Sequence, residues 1–271
     1  MLLFTRAALI WSALGACTSE AHPLRLGTTY TVEQSGALAV LDSLHFSMPL
    51  TVVVAPSGQI LGSAAQGDLD VVITHAPTLE QRLLVRPGHA ALRCPFVASR
   101  FAIVGPAADP AGVAHAATAA DAMRRIARTG RPGFISRGDS SGTHVKELAL
   151  WENAAVSPAG QSWYVQAGAD QAATLRIADE RRAYALADLP TFARLTGLEL
   201  RVLFAVDTAL VNPYTLYVVR TSSPPHRAAA AFESWALTDW RARLLALRLQ
   251  DGAAAFAPLA GGCTTPAAGS P

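Results

Sequence analysis

Charge is scarce in this sequence. Asp, Glu, Lys and Arg make up only 15% of its 271 residues, and the formal net charge is +2. That balance, with no long Lys/Arg run, excludes nucleic acid as a partner held by bulk charge. A 51% hydrophobic content excludes extensive disorder and provides for a sizeable core. Cysteine is scarcer still: Cys17, Cys94 and Cys263 are the full complement, and no Cys-x-x-Cys pair exists. A structural zinc site is thereby disfavoured. The seven histidines contain no His-x-x-x-His pair, so no metal-cation site is expected either. No internal repeat and no low-complexity linker interrupts the chain.

What is present begins at the N-terminus. "MLLFTRAALIWSALGAC" carries one early cation, Arg6, then the apolar stretch 7–14, then small residues. This is the shape of an export signal, too short to remain as a membrane span. The run Leu14-Gly15-Ala16-Cys17 resembles a lipoprotein signal, with Cys17 as the acylated residue; plain cleavage near Ala16 or Ala21 is the rival. The expected layout is a signal over 1–16 and a linker over 17–23. With Cys17 lost or lipidated, Cys94 and Cys263 remain as a pair, and export favours a bridge between them. Two buried thiols that never meet are the alternative.

Strand and helix patterns then alternate. Short strands are expected at Leu24–Leu26, in "LTVVV" and in "LDVVITHAP", with helices over 33–44 and 59–65 between and after them. "FVASRFAIVGP" reads as a strand pair or one long strand, and the pattern restarts after about residue 104: a helix over 116–129, the strand "GFISRG", and a helix "SGTHVKELALWENA". The stretch 170–195 reads as largely helical with a break at Pro190. "LRVLFAV" and "LYVV" read as strands separated by a loop "DTALVNPY", and two helices close the chain. This is an α/β protein of two lobes, with ligand between them at strand C-terminal ends where helix N-termini converge. Lobe 1 is expected over 24–99 plus 211–260, lobe 2 over 100–210, and a tail over 261–271.

Three strand-loop-helix junctions are rich in small hydroxyl residues: "GTTYT" at 27–31, "PSG" at 56–58 and "RGDSSGTH" at 137–144. Each hydroxyl taken alone is an ordinary helix cap. Three such junctions, one of them preceded by Arg137, form a donor-rich surface suited to an oxyanion. The same letters Gly-Asp-Ser-Ser-Gly also satisfy a nucleophile-elbow pattern around Ser140, with His144 or His226 as base; no carboxylate-histidine pair completes that arrangement. Asp68 and Asp70 read as turn and cap residues. Trp151, Trp163 and Trp235 read as packing residues, and Arg181 or Arg182 as exposed cations open to a partner.

The segments "GTTYTVEQSGAL", "PSGQI…GDLDVVITHAP", "FAIVGPAADPAGV", "FISRGDSSGTHVKELALW", "AATLRIADERRAYALAD" and "VNPY" together resemble the tungstate-binding solute receptors of Tup-type ABC importers. The resemblance implies a two-lobed periplasmic-binding-protein fold of type II-like plan, with crossovers near 95–104 and 204–213. It implies a monomer with no enzymatic activity and no cofactor, delivering tungstate or molybdate to a permease. It implies oxyanion contacts at Thr28, Thr29, Arg137, Ser141, Gly142 and Thr143, with Ser57 and Thr174 as weaker members. Tyr30 and Ser57 stand where the family has Thr, and Pro56 where Gly is common, which puts selectivity in doubt. The Arg137 to Thr143 spacing is also similar to phosphate receptors, so phosphate or sulfate is the alternative ligand. Hydrogen phosphate carries a proton and wants an acceptor, for which Asp139 is the nearest candidate.

Overall fold

A computed structural model describes residues 22–221 and 227–269. The signal sequence, Cys17 and His226 lie outside the described residues. The elements of the first part are β1 (Leu24–Thr28), α1 (Tyr30–Gln34), α2 (Ala37–Asp42), β2 (Leu50–Val54), α3 (Ser57–Gln66), β3 (Val71–Thr74), α4 (Pro77–Glu80) and the long β4 (Ala90–Gly105). The middle part holds α5 (Ala119–Thr129), β5 (Phe134–Ser136), α6 (Gly142–Asn153), β6 (Tyr164–Gln166), α7 (Gln171–Glu180), β7 (Ala185–Asp188), α8 (Leu189–Arg194) and β8 (Arg201–Phe204). The chain returns through β9 (Val211–Val219), α9 (Arg227–Trp235), α10 (Arg241–Ala246) and the short β10 (Ala257–Pro258).

Two lobes result. In lobe 1 the strands run in the order β10-β4-β9-β3-β1-β2. β1 pairs parallel with β2 and β3, whereas β9 pairs antiparallel with β3 and β4. In lobe 2, β7 and β8 pair antiparallel with the far end of β4, and β5 and β6 form a parallel pair. Strand β4 therefore serves both lobes: Arg100 still pairs with Val211 of lobe 1, and Phe101 already pairs with Asp188 of lobe 2. The second connection runs from β8 to β9. Parallel strands buried on both faces need continuous apolar runs, and "VVIT" of β3 is fully buried.

Each lobe has its own apolar core. Leu24, Leu26, Phe96, Leu216, Phe232 and Trp240 anchor one in lobe 1; Phe101, Ile103, Phe134, Trp151 and Tyr184 anchor one in lobe 2. Trp163 packs against the second, and Trp235 against the first. No described helix is long and apolar enough to cross a membrane.

Several expectations are corrected. The helix expected over 33–44 starts at Tyr30 and breaks at Gly36, whose φ of 87° is open to glycine and strained for other residues. A Cβ there would lie 2.7 Å from the Arg194 guanidinium. The stretch expected to be helical over 170–195 ends at Glu180 and gives β7; its Ala and Leu are helix formers, but pairing with β4 overrides propensity. "VNPY", expected in a loop, opens β9. Asp70 is a cross-strand clamp rather than a cap: its carboxylate is 2.8 Å from both the Arg25 amide N and the Arg25 Nη2. The tail lies along β4, where Cys263 is disulfide-bonded to Cys94 and Thr264 pairs with Arg93.

Candidate functional site

Helices begin where the parallel strands end, so free helix N–H groups collect on one side of each sheet. From lobe 1 come the starts of α1, after Thr28-Thr29, and of α3, after Pro56. From lobe 2 come the starts of α6, after the Arg137 loop, and of α7. These starts meet across the cleft. The Gly142 N–H donates to Ser57 Oγ at 3.2 Å, and Arg137 Nη1 donates to Thr31 Oγ1 at 3.3 Å. The Ala172 N–H of α7 donates to Gln34 Oε1 of α1 at 3.2 Å. Gly142 also lets α6 approach closely: a Cβ there would lie 2.7 Å from the His75 ring.

Arg137 is 2% exposed. Its Nη2 contacts Asp139 Oδ2 at 2.5 Å, and Asp139 Oδ1 accepts from the Ser141 N–H at 3.1 Å. Asp139 is thus turned onto the guanidinium, with both oxygens engaged. Burial pulls the guanidinium below its ordinary value, and the Asp139 carboxylate opposes that shift. Arg137 Nε and Thr143 Oγ1 are buried with no hydrogen-bond partner. Such atoms are costly unless something accepts from them.

The expected residues separate into three groups. Ser57 and Gly142 meet where α3 faces α6, Ser141 and Thr143 flank Gly142, and Arg137 in the preceding loop reaches α1 through Thr31; Ser141 Oγ also caps α6 by accepting from the His144 N–H at 3.2 Å. Thr28 and Thr29 lie at the start of α1. The Thr28 hydroxyl donates to the Ile73 carbonyl at 3.1 Å and is committed to the sheet, whereas Thr29 Oγ1 accepts from the Val32 N–H and keeps its own proton to offer. Thr174 is buried on α7, apart from the other two groups, and its hydroxyl donates to the Ala169 carbonyl at 3.4 Å.

Ser140 has no catalytic partner among the described residues. It is exposed, with φ of 58°, and its backbone N–H, not its hydroxyl, donates to His144 Nδ1 at 3.1 Å. A serine nucleophile needs the base on its oxygen.

His75 was not singled out in the sequence, although it follows directly on the "VVIT" strand. It is 3% exposed, and burial, with Arg137 nearby, pushes its imidazole down to about 3, so it is neutral. Its Nδ1 lies 3.1 Å from Asn212 Oδ1. Asn212 Nδ2 in turn faces Asp188 Oδ1 at 3.1 Å, Ser99 Oγ at 3.1 Å and Tyr214 O–H at 3.2 Å. Asp188 Oδ1 accepts from the Ser99 hydroxyl and from Asn212 Nδ2, which sets the amide orientation and hence the Nδ1–H tautomer of His75. A buried polar network thus joins the cleft floor to β4 and β9, where the lobes connect.

The fold and this site define a class: a two-lobed binding protein with convergent helix N-termini around one arginine. The PBP superfamily domain matches residues 18–239. A Haloferax volcanii protein provisionally named an ABC transporter anion-binding protein is 36% identical over 211 residues, 74% of this chain; the chain spans 61% of that relative's length. The tungstate-binding protein TupA of Peptoclostridium acidaminophilum is 31% identical over 258 residues, covering 88% of this chain and 89% of that protein. The crystal structure of the tungstate ABC transporter from Geobacter sulfurreducens superposes with a TM-score of 0.71 at 37% identity, over 82% of this chain and 97% of that one. The chain belongs to the PBP superfamily and, within it, to the family of these TupA proteins.

Proposed function

We propose that this protein is an exported receptor that captures tungstate, with molybdate as a second ligand, and delivers it to the permease of an ABC importer. The observation that carries this reading is the donor set. Two lobes bring helix N–H groups, hydroxyls and one buried guanidinium together, and Arg137 Nε and Thr143 Oγ1 lack acceptors. A fully deprotonated tetrahedral dianion is acceptor-only and matches such a surface.

The mechanism is lobe closure. Ligand bridging both walls binds the closed form more tightly than the open one, and that difference drives the swing. The permease reads the closed shape; exposed Arg181 and Arg182 at the end of α7 are available to it. The protein works as a monomer without catalysis, either free or tethered through Cys17. Mass spectrometry of the mature protein distinguishes those two forms.

Hydrogen phosphate is the rival because His75 Nε2 is a bare acceptor beside the cleft. Asp139 does not serve that purpose, since its oxygens face Arg137 and the Ser141 N–H. Calorimetric titration with tungstate, molybdate, sulfate and phosphate tests the reading. Tungstate is expected to bind most tightly; binding of phosphate alone would overturn the ligand assignment.

A further inference from the structure

Glu147 is a buried carboxylate that oxyanion binding, as described above, does not use. It lies one turn beyond Thr143 on the inner face of α6 and is 1% exposed. Its Oε1 accepts from the Tyr164 O–H at 2.7 Å and from Trp151 Nε1 at 3.2 Å. The Ser136 hydroxyl and the Arg137 main-chain N–H also bond to the carboxylate. Tyr164 is itself 2.9 Å from Ser136 Oγ. Glu147 thereby holds the end of β5 and the stretch of backbone from which the guanidinium projects. Among the described residues it has no salt-bridge partner.

The cleft's charge balance gives that position a second meaning. Arg137 already faces Asp139, so the pair is close to neutral before any ligand arrives. A dianion then adds two negative charges in a region shielded from water, where they repel an ionised Glu147. We propose that Glu147 positions Arg137 through its main chain and takes up a proton from solvent when the oxyanion binds, so that capture of a dianion is coupled to protonation of this carboxylate. The inference rests on the tungstate reading above.

The surrounding groups leave Glu147 as the acceptor. From β5 and its loop come Arg137, which already holds its proton, and Asp139, which is bonded to Arg137 and the Ser141 N–H. On α6 itself, Lys146 donates to the Ala209 carbonyl, and burial lowers both Lys146 and His144. Tyr164 on β6 and Tyr184 before β7 are pushed up and keep their protons. Asp170 caps α7, and His75 across the cleft is held near 3. Burial raises the Glu147 carboxyl to about 7, so the empty receptor has it poised at neutral pH. Added negative charge raises it further. A proton is then gained on binding, and affinity rises as pH falls through the neutral range.

The test is titration calorimetry with tungstate near pH 7 in buffers of different ionisation enthalpy, on the full protein and on Glu147→Gln. The wild type is expected to take up about half a proton per tungstate, and the variant none, with an affinity that no longer depends on pH. Tungstate binding by the wild type without proton uptake, or uptake that persists in Glu147→Gln, would overturn the proposal. If that variant does not fold, Tyr164→Phe serves: loss of one donor raises the carboxyl and moves the midpoint of the wild-type pH profile upward. An unmoved midpoint counts against the assignment. Absence of any tungstate binding would sink the ligand reading, and the proton coupling with it.

Discussion

The lobe-1 wall of the cleft is made of Thr29, Thr31, Ser57 and a neutral His75, and none of these side chains carries a formal charge. The lobe-2 wall holds Arg137, Asp139 and Glu147 within one strand, its loop and the following helix. The difference separates a wall that carries charge from one that does not. Arg137 and Asp139 nearly cancel at long range, so the guanidinium acts on an anion only close by. Hydroxyls and helix N–H groups act only at contact, so lobe 1 adds its share when the cleft closes.

Changes to each wall should therefore fail differently. The largest effect is expected from Arg137→Ala. Removing a buried charge pair member costs ~2–5 kcal/mol, so tungstate affinity should fall by at least ~30-fold. Circular dichroism should remain native; unchanged affinity would take Arg137 out of the site. Next comes Gly142→Val, which drives a side chain into the His75 ring and blocks the approach of α6 to lobe 1. Affinity should drop ~10–100-fold, and small-angle scattering should no longer register compaction with tungstate; normal compaction would refute the close contact. Ser57→Ala removes a lobe-1 acceptor of the Gly142 N–H and should cost about 10-fold, mostly in the dissociation rate, as read by stopped flow.

Smaller still for binding is the pH dependence of stability set by His75. Its folded value of about 3 lies below the ordinary 6.5, so the unfolded chain gains a proton first. Stability is intact above about 6.5 and is lost as pH falls toward about 3, at up to ~1.4 kcal/mol per unit. Thermal melts of His75→Gln should be flatter over that window; an identical slope would assign the effect elsewhere. Least of all should Cys263→Ser disturb the cleft: binding is expected within ~2-fold, while the melting temperature falls because a loop closed over 169 residues is released.

Most of the lobe-2 wall was legible in the sequence because those parts are adjacent; Glu147, which is tied to Tyr164 on β6 and to the Arg137 main chain, was not. Arg137, Asp139, Ser141, Gly142 and Thr143 sit in one turn, and a local pattern is all a single sequence displays well. The lobe-1 wall was only half legible. Hydroxyls at 28–31 and 57 were visible, but which of them faces the cleft depends on β3, whose Ile73 carbonyl takes the Thr28 hydroxyl. His75 and Gln34 were missed because their partners, Asn212 and Ala172, are more than a hundred residues away. β7 was read as helix for a related reason: "ALAD" has helical composition, and only its neighbour β4 makes it a strand.

Strand β4 passes from one sheet to the other at the peptide joining Arg100 to Phe101, with no spacer residue. Side chains alternate along a strand, so a single residue added at that joint would turn every β4 side chain of lobe 2 over, with Phe101 and Ile103 facing away from their core. The halves are locked in phase. Chimaeras that graft one half onto a relative's other half should fold only when the seam keeps this register, whatever the identity of the grafted surface.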